Sequence, residues 1–379
     1  MEVVKGASET ADDPNQPEVR RASRQVVVLA LLSSSMVVLS VILSLQQSAM
    51  GWVSFIQPGA KGFAAEVVTE DFPDVEIQRG VGHDGQYFYV MARSPTDLDT
   101  LQANLGRTRY RLQRPLFPAL AWALHPTGGG YGLVAAFIVV GAFSLAFLGV
   151  AAGLLSVRLG GPALVAAVVP AIPGSMWTFR LGVADSLALG LTLAALLALH
   201  SRKTRLAVIA AVAAVLAKEA MLVLIGAKAL AARDRASILA AAVAGAVAGA
   251  WWFALRMLVD VGSPQVKELG RPLEGVLVNA GMWWRGHELQ AAGTVVASVV
   301  LLLFAVLRRR GHPLLAPLVG WMVLSTFVDP NVLGLDHNGS RTMAPALVLG
   351  LLVAVTPLQL RDASPGEASV SRRHREYLP

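Results

Sequence analysis

Residues 204–235 read TRLAVIAAVAAVLAKEAMLVLIGAKALAARDR. Two short apolar runs flank Lys218 and Glu219, and the second ends at Arg233 and Arg235. The first run, Leu206 to Ala217, is 12 residues, about 18 Å of helix against a hydrocarbon core of about 30 Å. The stretch is therefore either one helix burying a Lys–Glu pair, or a short hairpin with that pair at its tip. Parity separates the two. With a hairpin, Arg233, Arg235, Arg308, Arg309, Arg310 and the C-terminal tail fall on the side of Arg202, Lys203 and Arg205. With one helix they flip outside, against the rule that short basic loops stay cytoplasmic. The hairpin is the reading adopted.

The rest of the chain follows the same grammar. Residues 1–25 are polar and read as a disordered cytoplasmic tail, and 26–47 as the first transmembrane helix, preceded by Arg20, Arg21 and Arg24. Residues 48–130 form a long extracytoplasmic loop with interfacial helices. Residues 131–360 hold the remaining apolar runs, a transmembrane helical bundle, and 361–379 form a basic cytoplasmic tail. The count is about ten spans with both termini inside, an all-α membrane protein.

Composition agrees. Of 379 residues, 55% are hydrophobic and 15% charged, where a soluble domain carries about 25% charge. There is no cysteine, which excludes disulfides, thiolate metal sites and cysteine nucleophiles. The net charge is +7, but the basic residues sit in short gaps between apolar runs. That is a topology signal and not a nucleic-acid surface, so no nucleic-acid partner is expected. The richness in Ala, Val and Gly reads as a bacterial cell membrane protein. Phosphate-binding glycine loops, His-Glu-x-x-His and Gly-x-Ser-x-Gly are all missing.

With this topology nearly every charge that does not set orientation collects on the outer face. These are Asp84; Arg180 and Asp185; Lys218 and Glu219; Arg285 and Glu288; and Asp329, Asp336, His337 and Arg341. Each alone is at home in loop water. Together on one face they mark a site, because ionisable groups near lipid are costly. Trp52, Trp122, Trp177, Trp251, Trp252, Trp283 and Trp284 map to that face too, and Trp321 does not. They read as an interfacial belt or as the wall of a lipid or sugar groove.

In the first outer loop, Asp84 is placed as the N-cap of a helix over Gln86–Arg93 that stops at Pro95. Tyr87, Phe88, Met91 and Ala92 give it one apolar face, suited to lying on the membrane. Asp84 either caps this helix or presents a general base at the surface. Arg107, Arg109, Arg111 and Arg114 suit an anionic partner, a phosphate or lipid headgroups. Glu70, Asp71, Asp74 and Glu76 offer the oxygen ligands of a divalent ion, or simply a solvated loop.

The stretches GHDGQYFY (82–89) and YRLQRPLFP (110–118) resemble the first luminal loop of class C (GT-C) membrane glycosyltransferases. The closest likeness is to relatives of the second mannosyltransferase of GPI-anchor assembly and their bacterial cousins. In motif the resemblance spans about 35 residues. It implies transfer of a sugar, a mannose-like hexose or a pentose, from a polyprenyl-phosphate-linked donor to a lipid or glycan acceptor on the extracytoplasmic face.

By the resemblance, Asp84 stands at the catalytic acid. His83, Gln86, Arg111, Arg114, Lys218, Glu219, Arg285, His337 and Arg341 are the substrate-binding candidates. Lys218-Glu219 and RTMAP (341–345) look like recurring features of such proteins. Where the family doubles its acid, this chain has His83-Asp84. Glu70, Asp71 and Asp329 therefore stay open as alternative acids. The leaving phosphate is balanced by fixed cations or by a divalent metal, magnesium or manganese. The rival reading is a secondary transporter or lipid flippase, which the interrupted stretch at Lys218 fits and the large outer loop does not.

Overall fold

A computed structural model describes residues 16–259, 269–286 and 288–357. These residues are helical and form no strand; Leu269 and Val328 make an isolated antiparallel bridge. Most of the two tails, 1–15 and 361–379, lies outside the described residues.

Helix α1 (Gln16–Gln46) starts well ahead of the apolar run, so Arg20, Arg21 and Arg24 are helical and not part of a disordered tail. Pro at the second position and Glu at the third suit a first helical turn.

The outer segment follows as α2 (Ala65–Asp71), α3 (Asp84–Arg93), α4 (Leu98–Leu105), α5 (Thr108–Leu112) and α6 (Leu116–Leu124). It is a packed cap, which corrects the expectation of helices lying on the membrane. Every residue of α3 from Gly85 to Ala92 is buried. Phe88 meets Phe117 at 5.9 Å, and Phe117 meets Phe137 at 5.7 Å, carrying the core of the cap into α7 (Tyr131–Arg158). The face formed by Tyr87, Phe88, Met91 and Ala92 thus meets protein, on a helix buried on every side.

The remaining helices are α8 (Val165–Val168), α9 (Pro173–Arg180), α10 (Asp185–His200), α11 (Thr204–Ala217), α12 (Met221–Ala232), α13 (Arg235–Leu258), α14 (Glu274–Trp284), α15 (Leu289–Arg308), α16 (Leu315–Thr326), α17 (Pro330–Leu333) and α18 (Asp336–Val355). Pro170 and Pro173 break the α8–α9 stretch. Helix α14 occupies part of the segment read as a loop before Gln290; it buries Gly275, Asn279 and Trp283 and exposes Leu277, Val278 and Trp284. Helix α18 begins at Asp336, ahead of the expected Thr342, so His337 and Arg341 lie on its first two turns. Its start is fixed by reciprocal bonds: Asp336 N donates to Glu288 at 2.7 Å, and Ala291 N donates to Asp336 at 2.7 Å. Pro345 sits inside α18.

Among the described residues five helices are long and apolar enough to cross a membrane: α1 from Arg20, α7, α13, α15 and α18. Apolar side chains on α1, α13 and α15 point outward, among them Met36, Leu39, Phe253, Met257, Val300 and Leu303. An apolar surface this extended is a lipid-facing belt and not a soluble exterior. Helices α10, α11, α12 and α16 are apolar but shorter.

Contacts at the helix ends give their directions. Lys218, between α11 and α12, bonds Asp185 at the start of α10. At the opposite end of the bundle, His200 faces the charges of Arg158 and Lys228. Helix α12 therefore runs back from the Lys218 end toward the end of α10, as the hairpin reading requires. At that same far end His312 bonds Thr356 Oγ1 at 2.7 Å, tying the α15–α16 turn to the end of α18.

Candidate functional site

Asp84 opens α3, and the residue before it, His83, has extended backbone. Asp84 is therefore in the first turn and is not the N-cap; no side chain caps this helix. That frees its carboxylate, which is 42% exposed. Gly85 is the reason the turn fits. A Cβ there would run into the backbone carbonyls of Leu181 and Ile56, the latter at 2.9 Å.

A chain of alternating charges runs from Asp84 into the bundle. Arg341 Nη2 lies 4.0 Å from Asp84 and 3.2 Å from Asp185. Asp185 is also bonded by Lys218 Nζ. The four residues come from α3, α18, α10 and the α11–α12 break, which puts four separate parts of the chain on one electrostatic knot. Asp185, Arg341 and Lys218 are only 12%, 10% and 16% exposed. Charges this dry persist only when paired. Behind them Ser175, Thr178, Ser186 and Arg341 line a cavity of about 10 Å³, and Ser175 Oγ, Ser186 Oγ and Arg341 Nε there lack protein partners. A space of that size and polarity suits one ordered water.

Arginines 109, 111 and 114 divide the work. Arg109 donates to the Val259 carbonyl at 2.7 Å, and Trp251 Nε1 to the Leu112 carbonyl at 2.8 Å, clamping α5 to the end of α13. Arg114 holds Glu219 with a bidentate pair at 2.9 and 2.7 Å and bonds the Tyr110 hydroxyl at 2.5 Å. This locks the cap onto the hairpin tip. Arg111 is different. Its guanidinium lies 3.2 Å above the centre of the Tyr87 ring, and its buried Nε and Nη1 have no hydrogen-bond partner. Burial pushes its pKa down, with Tyr87 and Asp84 opposing that shift. A buried guanidinium with unfilled donors has the chemistry to bind an oxyanion that reaches it.

On the other side of Asp84 are rings. His83 and His337 meet edge to face at 4.7 Å, and His337 lies 5.8 Å from Trp177. Trp177 Nε1 donates to Gln290 Oε1 at 2.6 Å. Burial lowers the pKa of His83; Asp84 opposes the shift and Arg341 adds to it.

Comparison with known protein families, curated proteins and solved structures finds no match.

Several expected residues stand elsewhere. Gln86 is fully buried and spent on structure: its Oε1 accepts from Gly59 N at 3.2 Å and its Nε2 donates to the Val81 carbonyl at 2.8 Å. Asp71 accepts from the Tyr89 hydroxyl at 2.6 Å and from Arg93 at 2.8 Å, and Glu70 pairs with Arg93 at 3.0 Å. Tyr89 and Arg93 belong to the C-terminal half of α3, the end away from Asp84. Asp329 caps α17 through Asn331 N at 2.8 Å. Arg285 is exposed at the end of α14. So His83, Asp84, Arg111, Arg114, Lys218, Glu219, His337 and Arg341 converge, and Glu70, Asp71, Gln86, Arg285 and Asp329 do not.

Asp185 and Trp177, which the sequence placed on the outer face, and Tyr87, which it gave only an apolar packing role, belong to the site although none was among the substrate-binding candidates. In sequence Asp185 was one of the outer-face charges, and its place at the head of an apolar run, a common helix start, gave no sign of its two cationic partners. A divalent ion fits this donor set poorly. Asp185 is taken by two cations, and among the described residues no three His, Asp or Glu side chains gather.

Proposed function

We propose that the chain is a class C-like membrane glycosyltransferase that moves a sugar from a polyprenyl-phosphate donor to an acceptor on the extracytoplasmic face. The observation that carries this reading is a half-exposed carboxylate, Asp84, within electrostatic reach of a buried guanidinium, Arg111, whose Nε and Nη1 have no hydrogen-bond partner, at one end of an apolar bundle. Such a pair suits a reaction that removes a proton and releases a phosphate. The membrane arrangement we propose has ten passes: α1, α7, α8–α9, α10, α11, α12, α13, α15, α16 and α18. Both termini are cytoplasmic, with the basic turns at Arg202–Arg205, Arg233–Arg235 and Arg308–Arg310 on that side.

In the mechanism, Asp84 takes the proton of the acceptor hydroxyl as its oxygen attacks the anomeric carbon. The bond from that carbon to the phosphate oxygen breaks, and its electron pair leaves on the phosphate. Arg111 meets the growing negative charge with its open N–H groups. Arg341 stands 4.0 Å from the Asp84 carboxylate and is itself held by Asp185 at 3.2 Å. Direct displacement inverts the anomeric centre.

The test is purified protein and its Asp84→Asn variant with labelled polyprenyl-phosphate sugars and an acceptor extract. A general base supplies about 10²–10⁴-fold, so the variant should lose at least a hundredfold in turnover. Equal product from both would move the base elsewhere. No product from a folded protein, with passage of unmodified lipid-linked sugar across vesicles, would replace the enzyme by a transporter or flippase.

A further inference from the structure

We infer that the acceptor hydroxyl is carried on a sugar ring, seated against a wall of Trp177, His337 and His83 that leads to Asp84. The inference rests on the transferase reading and names the acceptor class that the reading leaves open.

Three observations carry it. First, the rings form a continuous series ending at the carboxylate: Trp177 to His337 at 5.8 Å, His337 to His83 at 4.7 Å, and His83 adjacent to Asp84 in the chain. All three are half-buried, so each keeps an accessible part. Second, the indole is fixed in place. Its N–H is tied to Gln290 at 2.6 Å, so the side chain that offers the largest flat face is held from its polar edge. A ring so held suits the C–H face of a pyranose, because a rigid aromatic face binds without losing conformational freedom. Third, His337 Nε2 is buried with no partner, so a ligand that moves the ring's covering aside finds an unfilled hydrogen-bonding nitrogen. A neutral imidazole nitrogen is a donor in one tautomer and an acceptor in the other. A hydroxyl satisfies either, and a sugar ring brings several.

The cap and the bundle both contribute. His83 comes from the cap, His337 from the first turn of α18 and Trp177 from α9. The wall is assembled only when α3 is docked. Arg111, stacked on Tyr87, provides for an anion separately from the wall. The division gives the two substrates distinct surfaces: phosphate of the donor on Arg111, sugar of the acceptor on the rings. The acceptor oxygen then forms its bond to the anomeric carbon, passes its proton to Asp84, and the donor phosphate leaves with the electron pair of the broken bond.

The experiment uses the full chain in a detergent without a sugar head. Binding of methyl mannoside, methyl glucoside and methyl galactoside is read by saturation-transfer NMR on wild type, Trp177→Ala, Trp177→Phe, His337→Gln and Trp284→Ala. Trp284 is 91% exposed on α14 and serves as the control. At least one glycoside should bind wild type and the Trp284 variant equally. Loss of the indole should weaken it by about five- to tenfold, with Trp177→Phe in between and His337→Gln also weakened. Absence of binding to wild type, or equal binding to every variant, overturns the wall.

Transfer assays separate this from the parent reading. Transfer to glycosides that Trp177→Ala loses supports both. Transfer to diacylglycerol or a serine peptide, unchanged in Trp177→Ala, overturns the sugar acceptor and leaves the transferase standing. Glycoside binding at the wall without transfer from any donor overturns the transferase and leaves the sugar site.

Discussion

Replacing Asp185 by Asn keeps the shape of the side chain and removes the charge that two cations share. Lys218 and Arg341 would be left 16% and 10% exposed with a neutral amide between them. Removing one member of a buried ion pair costs about 3–5 kcal/mol, because the remaining charge stays desolvated. Arg341 retains Asp84 only at 4.0 Å, so it recovers little of the loss. We expect Asp185→Asn to lose about 3–5 kcal/mol in SDS titration of mixed micelles.

A second substitution sharpens this. In Asp185→Asn/Lys218→Met one stranded cation is gone, so the double variant should be more stable than the sum of the singles by about 1–3 kcal/mol. Glu70→Gln is the contrast. Its partner Arg93 is held at 3.0 Å, but Glu70 is 67% exposed, and an exposed pair is worth about 0–1 kcal/mol. If Asp185→Asn costs no more than Glu70→Gln, the carboxylate is solvated and the account of a dry charge knot is wrong.

Gly85→Ala forces a Cβ against backbone that cannot swing away. It should cost about 1–3 kcal/mol and displace Asp84, lowering any Asp84-dependent turnover along with the melting temperature. Tyr89→Phe removes the hydroxyl that accepts from Gly130 N at 2.5 Å and donates to Asp71 at 2.6 Å. A loss of about 1–3 kcal/mol should appear with faster proteolysis near Gly128–Gly130. His312 titrates at about 4, below the ordinary 6.5, through burial and then Arg309. Its Nδ1 accepts from Leu314 N at 3.2 Å, leaving Nε2 to donate to Thr356. Only the neutral ring does both. The unfolded chain takes up the proton first, so stability should be full above about pH 6.5 and fall as pH drops toward about 4. A melting-temperature series should show this slope flattened in His312→Gln, and an unchanged slope would refute the assignment.

The membrane character was legible because long apolar runs need no partner to be recognised. The break at Lys218 was legible because each apolar run beside it is too short to cross alone, and the structure turns the chain back there. What the sequence hid were contacts between distant residues. Asp185 meets Arg341 across 156 positions and Lys218 across 33, and no periodicity links them. Helix α3 was found but its surroundings were misjudged. One apolar face could be seen in Tyr87, Phe88, Met91 and Ala92, whereas the burial of the other side depends on a cap built from five short helices, α2 to α6. Gln86 looked like a ligand-binding amide because a polar residue in a loop motif gives no sign that two backbone groups already occupy it.

Pro345 has a consequence for how the site yields. With no N–H at that position, the carbonyl of Arg341 lacks its intrahelical donor. The first turns of α18, which carry His337 and Arg341, are thus coupled to the rest of that helix by one bond fewer than a regular helix provides. The compliance is local. A shift of Arg341 away from Asp84 would therefore break no hydrogen bond between its carbonyl and residue 345, while the remainder of α18 is packed against α15 and α16. The site is stiff in its charges and soft in the one backbone turn that presents them.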